Sequence, residues 1–340
     1  MTTFKELRGT AIQAVSSDPS NPEQGQIWYN SSSGTLKGYA LANVNAWSSG
    51  GNLNTARSAA AGSGTQTAAI CVTGEIPGSP GESTATELYN GTSWTTSPAT
   101  TNTKRRYGRY SGTQTAGVVY GGYDGSTATG ATEIWNGTSW TTSPATMGTG
   151  RQSMGPASNG TQTATITFGG TTPSPLTTYA NTESFNGTAW SPAPSLNTAR
   201  MNLGGVGTQT AALAFGGNPS APNQVPVTGA TESYNGSAWT TVNSMNTARS
   251  SNGGFGTQSL AITMGGYLPP TYTRTAVAES WNGTSWTSIP SLSSARNEVA
   301  GAGTQTAGLA FSGYAPSPGY LNLTEEWTGQ ALQTKTITVS

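Results

Sequence analysis

Histidine is absent from this chain, cysteine occurs once, and aspartate occurs only as Asp18 and Asp124. Histidine is the commonest general base and metal ligand, so its absence removes the usual zinc and copper ligand sets. Paired-carboxylate hydrolysis would have to rely on glutamates, and no phosphate-binding loop of the Walker type is present. We therefore expect no catalytic activity, no bound metal and no cofactor.

Charge is also scarce, because charged residues make up 8% of the chain and the net charge is zero. Nucleic-acid binding needs clustered Lys and Arg, and the one basic cluster, Lys104-Arg105-Arg106 with Arg109, is expected to be a locally basic loop. Cys71 lies in an apolar run and is expected to be a buried, inert thiol. The chain shows no membrane-spanning apolar run and no signal-peptide core, so we expect neither membrane insertion nor secretion by that route.

What the chain has instead is a repeat with three marks. A Gly-Thr-Gln signature recurs every 47 to 49 residues, at Gly64, Gly112, Gly160, Gly207, Gly256 and Gly303. An arginine precedes each of these glycines by seven residues, or nine for the third, at Arg57, Arg105, Arg151, Arg200, Arg249 and Arg296. A Glu-x-aromatic-Asn-Gly-x-x-Trp signature supplies Glu87, Glu133, Glu183, Glu232 and Glu279 with Trp94, Trp140, Trp190, Trp239 and Trp286. A degenerate sixth copy begins at Glu325 and has Leu332 at the tryptophan position.

Each unit is interpreted as four short strands. The second strand ends in a continuous apolar run, as expected for a strand buried on both faces. The third leads into Asn-Gly, the strongest short hairpin signal, in which both turn positions need positive φ.

This pattern of glycine doublet, aromatic residue and tryptophan resembles the kelch repeat, from about Arg57 onward. Two copies depart from the doublet, with Thr73-Gly74 and Ser312-Gly313, and there we expect a modified turn. The resemblance implies an all-β propeller of four-stranded blades around a central channel.

The number of blades depends on the first 56 residues, which lack Gly-Thr-Gln. Trp47 lies 47 residues before Trp94, and residues 26–39 are typical of a hairpin. We favour a divergent seventh blade or docking segment over 1–56, followed by six blades over 57–340 in one propeller domain. The alternative is six blades with an N-terminal hairpin.

A residue type repeated at one position of a ring usually serves the contact between neighbouring units. We therefore expect the repeated arginines and glutamates to pair with each other, or with backbone groups, near blade junctions. The alternative is a ring of charges that binds a ligand.

The loops between the second and third strands vary in length and sequence, and such loops are where a propeller can carry binding. Tyrosines among Ser, Gly and Asn give rigid contact area with adaptable hydrogen bonding. The candidate partner-binding residues are Tyr123, Asp124, Tyr179, Tyr267, Tyr272, Tyr314 and Tyr320. The alternative is that these loops only connect strands.

The segment Gly9-Thr10-Ala11-Ile12-Gln13, together with Gly25-Gln26-Ile27-Trp28-Tyr29-Asn30, resembles the opening of virion structural proteins of tailed bacteriophages. The resemblance implies a non-enzymatic particle component in the tail, a fibre or a capsid decoration, released from the host cytoplasm by lysis. Its expected partners are other virion proteins through this segment, and a host-surface glycan or protein through the blade loops. The alternatives are a cytoplasmic kelch-type interaction scaffold and, less favoured, a carbohydrate-acting propeller enzyme.

Overall fold

The computed structural model describes residues 12–41, 45–78, 81–219, 226–271, 273–330 and 332–337. Strands and turns account for all regular structure within these ranges, and none of these residues forms a helix that could cross a membrane. The all-β prediction is therefore confirmed.

The first sixteen strands, in chain order, begin with three short strands of the N-terminal segment. They are β1 (Gln13–Val15), β2 (Ile27–Asn30), β3 (Thr35–Leu41), β4 (Ala46–Ser49), β5 (Ala61–Thr65), β6 (Ala68–Val72), β7 (Thr86–Tyr89), β8 (Trp94–Thr96), β9 (Arg109–Gly112), β10 (Gly117–Tyr120), β11 (Thr132–Trp135), β12 (Trp140–Thr142), β13 (Gly155–Pro156), β14 (Thr165–Phe168), β15 (Thr171–Pro173) and β16 (Leu176–Thr178).

The remaining strands continue the same pattern to the end of the described residues. They are β17 (Thr182–Phe185), β18 (Trp190–Ala193), β19 (Gly204–Gly207), β20 (Ala212–Phe215), β21 (Thr231–Tyr234), β22 (Trp239–Val242), β23 (Gly253–Gly256), β24 (Ala261–Met264), β25 (Tyr267–Leu268), β26 (Thr273–Arg274), β27 (Ala278–Trp281), β28 (Trp286–Ile289), β29 (Ala300–Gly303), β30 (Ala307–Phe311), β31 (Thr324–Thr328) and β32 (Leu332–Thr336).

Six four-stranded antiparallel sheets form the blades of a propeller over residues 46–328. From inner to outer strand, blades 1 to 6 are β5-β6-β7-β8, β9-β10-β11-β12, β13-β14-β17-β18, β19-β20-β21-β22, β23-β24-β27-β28 and β29-β30-β31-β4. Each inner strand packs beside the inner strand of the next blade, and β29 packs beside β5, so the ring closes with six members.

The outer strand of blade 6 comes from the beginning of the propeller segment rather than its end. Strand β4 pairs antiparallel with β31, and Trp47 lies opposite Trp327. Trp47 therefore fills the tryptophan position of the sixth repeat, and the expectation that Leu332 does so is wrong.

A second compact unit comprises residues 1–45 and 329–340. Its sheet has the order β1-β2-β3-β32, so the described residues form seven four-stranded sheets in all. The ring nevertheless contains six of them, as in the alternative of six blades with an N-terminal hairpin, and the hairpin β2-β3 lies in the sheet of the second unit. The boundary shifts from residue 56 to Asn45/Ala46 because β4 belongs to blade 6, and residues 329–340 leave the propeller because Leu332 pairs with Leu41.

The propeller's core consists of six apolar layers, each between two adjacent blades. Between blades 1 and 2, for example, Ile70 and Val72 pack with Tyr110 and Val119. Strand b (the second strand of each blade) is buried on both faces, as its continuous apolar run predicts.

Side-chain hydrogen bonds join each blade to the blade before it. The Gly-Thr-Gln glutamine donates its side-chain N–H to carbonyls of the preceding blade: Gln114 binds Ala69 and Tyr89 at 2.9 and 2.6 Å. Gln66 reaches Gly308 and Trp327 and so closes the ring between blades 1 and 6. These hydrogen bonds explain why the glutamine recurs in every repeat, which the sequence alone did not.

The Asn-Gly hairpins form where predicted, but their turn type differs from the expected one. Asn90 keeps a negative φ, whereas Gly91 has φ of 93°. The Asn90 side-chain oxygen accepts the backbone N–H groups of Thr92 and Ser93, so it caps a four-residue loop between Tyr89 and Trp94. The Asn is used for its side chain rather than for positive φ.

The two departures from the glycine doublet keep an unmodified backbone. Thr73 and Ser312 adopt φ of 60° and 62°, close to the 63° of Gly121 in blade 2. Their turns are therefore the same turn with a strained residue, and the expectation of a modified turn is wrong there.

Candidate binding face and axial pocket

All six repeated arginines pair with the repeated glutamate of the same blade. The Nη2–Oε1 distance is 2.5 Å for Arg57–Glu87 and 2.7 Å for Arg151–Glu183, and the other four pairs make the same contact. Those pairs are Arg105–Glu133, Arg200–Glu232, Arg249–Glu279 and Arg296–Glu325. Since all six pairs form, the prediction that these residues pair is confirmed. Every arginine side chain in the pairs is 0% exposed.

Each pair fastens an inter-blade connector to the blade that follows it. Arg57 donates through Nη1 to the carbonyls of Thr73 and Ala85, which lie between the end of strand b and the start of strand c (the third strand of each blade). Glu87 accepts the backbone N–H groups of Asn54 and Thr55 in the connector. Because these charges are buried and paired with each other, they form the propeller's framework rather than a charged ring open to a ligand.

The remaining charged residues of the propeller concentrate at one face. They are Glu75, Glu82, Lys104, Arg106, Arg109, Asp124, Arg274, Glu298 and Glu326. All except Glu326 lie on the b–c loops, on the connectors or at the start of the inner strands. We call this the loop face, and the opposite face, with the Gly-Thr-Gln and Asn-Gly turns, the turn face.

Four of the predicted tyrosines meet in an arc on the loop face that runs through blades 5, 6, 1 and 2. The Arg274 guanidinium lies 5.2 Å from the ring centre of Tyr267 and 4.8 Å from that of Tyr314. Tyr314 in turn packs edge-on against Tyr320 at 5.0 Å. Burial, and then the charge of nearby Glu75, raises the pKa of Tyr320.

The arc continues from blade 1 into blade 2 through Arg106. This guanidinium donates to the Glu75 carboxylate and stacks over the rings of Tyr107 and Tyr123 at 5.6 and 5.1 Å. Aromatic rings and delocalised cations of this kind are enriched where proteins bind partners. The arc therefore supplies half-buried Tyr and Arg surface over four adjacent blades.

Two of the predicted residues fall outside the arc. The Asp124 carboxylate accepts N–H groups of Ser126 and Thr127, so it stabilises its own loop. Tyr179 lies in blade 3, where its ring covers buried Arg151 at 5.9 Å. Tyr272 lies outside the described residues.

At the axis, a ring of backbone hydrogen bonds surrounds the channel on the loop face. One residue per blade adopts a left-handed φ of 50° to 57°, and these residues are Ala59, Tyr107, Ser153, Asn202, Ser251 and Glu298. The N–H of Tyr107 donates to the Ala59 carbonyl, and the same bond continues from blade to blade as far as Glu298. Because this conformation recurs in every blade, it serves the architecture, while the side chains it carries differ.

Below this ring lies an axial pocket of about 70 Å³. Its wall is built mainly from small residues of the inner strands, such as Gly204, Gly253 and Ala300. At the far end, the turn at 157–160 occupies the axis: the Ser158 carbonyl accepts hydrogen bonds from Ser63 and Gly112 of two other blades. This turn contains the two extra residues that separate Arg151 from its Gly-Thr-Gln glycine.

Three polar side chains give the pocket its chemistry. The Tyr107 hydroxyl donates to Glu298 Oε1 at 3.1 Å, and burial raises the pKa of both groups. Burial lowers the pKa of Arg109 to about 10, which leaves it charged at neutral pH. A cation and a carboxyl with shifted pKa values in one pocket are typical of functional sites.

In the N-terminal unit, one carboxylate binds side chains of two neighbouring strands. Asp18 accepts hydrogen bonds from the Trp28 indole, the Asn30 amide and the Lys37 ammonium at 3.1, 2.7 and 2.7 Å. Those partners come from the Trp-Tyr-Asn motif and the strand that follows it. Within this unit, the motif therefore stabilises a sheet.

Sequence reasoning missed Glu75, Tyr107, Arg274 and Glu298, and it assigned Arg106 and Arg109 to a locally basic loop, whereas Arg109 opens strand β9 and lines the pocket. A signal for some of them was present, because Arg109 and Glu298 each stand where most repeats carry a smaller residue. Aligning the copies column by column would have singled them out.

In comparisons with known proteins, no family model and no curated protein matches the chain. Among solved structures, it is similar to YjhT, with a TM-score of 0.66 and 12% identity over 84% of this chain and 100% of that chain. At this level of identity the similarity supports the propeller fold alone.

Proposed function

We propose that this protein is a non-enzymatic component of a tailed-bacteriophage particle whose propeller, of the kelch type, binds a partner through its loop face. The observation that carries the binding role is the concentration of charge and tyrosine on one face of a propeller whose surface is otherwise almost uncharged. Support for the particle comes from the N-terminal motif, which resembles virion proteins and lies in a unit separate from the propeller.

The uneven distribution of tyrosines around the loop face supports contact with a partner through one half of that face. At the residue that follows the glycine doublet, blades 5, 6 and 2 carry Tyr267, Tyr314 and Tyr123, whereas blades 3 and 4 carry Thr171 and Asn218. Tyrosine and arginine give large contact areas with few rotatable bonds and supply most interface hot spots. A host-surface glycan or protein that covers the arc would use the aromatic half of the face.

Mass spectrometry of purified particles tests the location. We expect this chain in intact virions at a fixed ratio to the major capsid protein, even after the particles are banded by density. Its absence from virions but presence in the infected-cell lysate would favour the alternative, a cytoplasmic interaction scaffold.

Glycan-array and host-cell binding by purified protein test the face. We expect the double variant Tyr267→Ala/Tyr314→Ala to lose at least tenfold in affinity, because truncating interface tyrosines costs about 2 kcal/mol or more each at a hot spot. The matched control is Thr92→Ala/Thr188→Ala, at exposed positions of the turn face. Equal losses in both variants, or none in either, would contradict binding through the loop face.

A further inference from the structure

Arg109 breaks the symmetry of the axial pocket. At the same place in the other five repeats, four residues after the blade-start arginine, the chain has Ala61, Gly155, Gly204, Gly253 and Ala300. The five small residues leave the space of the pocket open, and Arg109 is the one long side chain at this level of the wall.

The guanidinium of Arg109 is only partly used by the protein. Its Nε donates to the Met154 carbonyl and its Nη1 to the Gly108 carbonyl, which hold the group in place. Within the described residues, Nη2 makes no hydrogen bond and no carboxylate forms an ion pair with Arg109. All six buried framework arginines, in contrast, have a glutamate partner.

From this geometry we infer that the axial pocket binds a carboxylate, with Arg109 as the residue that receives it. Guanidinium matches a carboxylate with two parallel N–H···O bonds, and a site shielded from water strengthens them. The proposal goes beyond the particle role and does not depend on it. The carboxylate could come from an acidic residue of a protein partner or from an acidic sugar, and the chemistry at Arg109 is the same.

Glu298 and Tyr107 complete the pocket beside the cation. Both residues line the pocket together with Arg109. The hydrogen bond between Tyr107 and Glu298 holds the Glu298 carboxyl at the pocket wall. A ligand that carries a hydroxyl next to its carboxylate could therefore bond to Arg109 and to Glu298 together. The pocket's volume of about 70 Å³ is below that of sites for drug-sized ligands, about 300–1,000 Å³, which favours a single small group over a whole large molecule.

Ligand-observed NMR titration of the full chain tests the inference with two probes, propionate and D-glucuronate, and D-glucose as the neutral match for glucuronate. We expect saturable binding of at least one carboxylate and none of glucose. Preference for propionate would identify an acidic residue as the source, and preference for glucuronate an acidic sugar. If neither carboxylate binds at millimolar concentration, the proposal is overturned.

The variant Arg109→Ala makes blade 2 match blades 1 and 6 at this position, so we expect it to fold. Its affinity for the bound carboxylate should fall at least tenfold, and its melting temperature should stay equal or rise, since no protein carboxylate loses a partner. Thr92→Ala, at an exposed position of the turn face, is the control and should bind as the parent does. A marked drop in melting temperature with unchanged carboxylate affinity would instead show that Arg109 is structural.

Discussion

Single residues matter most in this protein where they break the repeat. Glu298 stands at a position that is Ala59, Ser153 and Ser251 in three other blades, yet it brings a carboxyl into the mouth of the axial pocket. Burial raises its pKa above the ordinary 4.5, with Glu75 acting in the same direction and Tyr107 and Arg106 against it. A carboxyl kept where its ionised form is penalised costs stability at neutral pH, which is typical of residues retained for binding.

The pH dependence of stability tests that reading of Glu298. Since its pKa is higher in the folded chain than in the unfolded chain, its favourable contribution is complete below the unfolded pKa and is lost as pH rises through the folded pKa. Glu298→Gln keeps the acceptor for Tyr107 and removes this loss. We expect the variant to gain melting temperature over the parent at pH 8 and to show no gain at pH 4; a gain that is the same at both values would refute the pKa argument.

Among the elements, the connectors between blades depend most on specific side chains. A connector such as 97–104 has little apolar area of its own, and the buried Arg–Glu pair of the next blade holds it by side-chain and backbone hydrogen bonds. Buried pairs are not strongly stabilising in themselves, but losing one member leaves a buried charge without its partner. The repeat thus keeps both members in every copy.

Glu183→Ala should lower the free energy of unfolding by about 3–5 kcal/mol, because Arg151 would remain buried with one fewer acceptor. Chemical denaturation at pH 7 gives the value. The double variant Arg151→Met/Glu183→Leu should recover only the part of the loss that the unpaired charge causes, because the backbone groups of Gly148, Gly169 and Asn181 still lack their side-chain partners. An unchanged midpoint in the single variant would show that the pair contributes nothing to the connector.

At the scale of the whole molecule, closure of the ring joins two distant parts of the chain. Strand β4 completes blade 6, the Trp47 indole donates to the Pro290 carbonyl, and Trp47 packs on Trp327 with ring centres 5.2 Å apart. Gln66 of blade 1 adds a hydrogen bond to the Trp327 carbonyl of blade 6. Each interface between neighbouring blades therefore has the same kinds of contact, including the interface between blade 6 and blade 1 that closes the ring.

Two truncated chains test closure by β4. A chain of residues 46–328 should fold and melt cooperatively, because it contains all six blades. A chain of residues 50–328 should be less stable by roughly 3 kcal/mol or more, since it loses a strand together with the half-buried Trp47, which packs on Trp327. Thermal melting of the two proteins measures the difference, and equal stability would show that the ring does not depend on β4.

The sequence by itself determined the structure of a single blade. The alternation of apolar and small residues, the Asn-Gly turns and the pairing of Arg57 with Glu87 all depend on residues within about fifty positions of each other, and a repeat displays such local requirements in every copy. Likewise, the loop tyrosines could be identified as candidates because loop composition is read locally.

Only the tertiary structure decided how many blades close the ring and which loops meet. Ala46–Ser49 pairs with Glu325–Thr328 across nearly the whole propeller, and a four-residue strand carries no local mark of so distant a partner. In the same way, Tyr267, Tyr314 and Tyr123 form one arc because the ring brings blades 5 and 6 beside blades 1 and 2. Arg109 became a candidate binding residue once the ring showed that it lines the axial pocket without an acidic partner among the described residues.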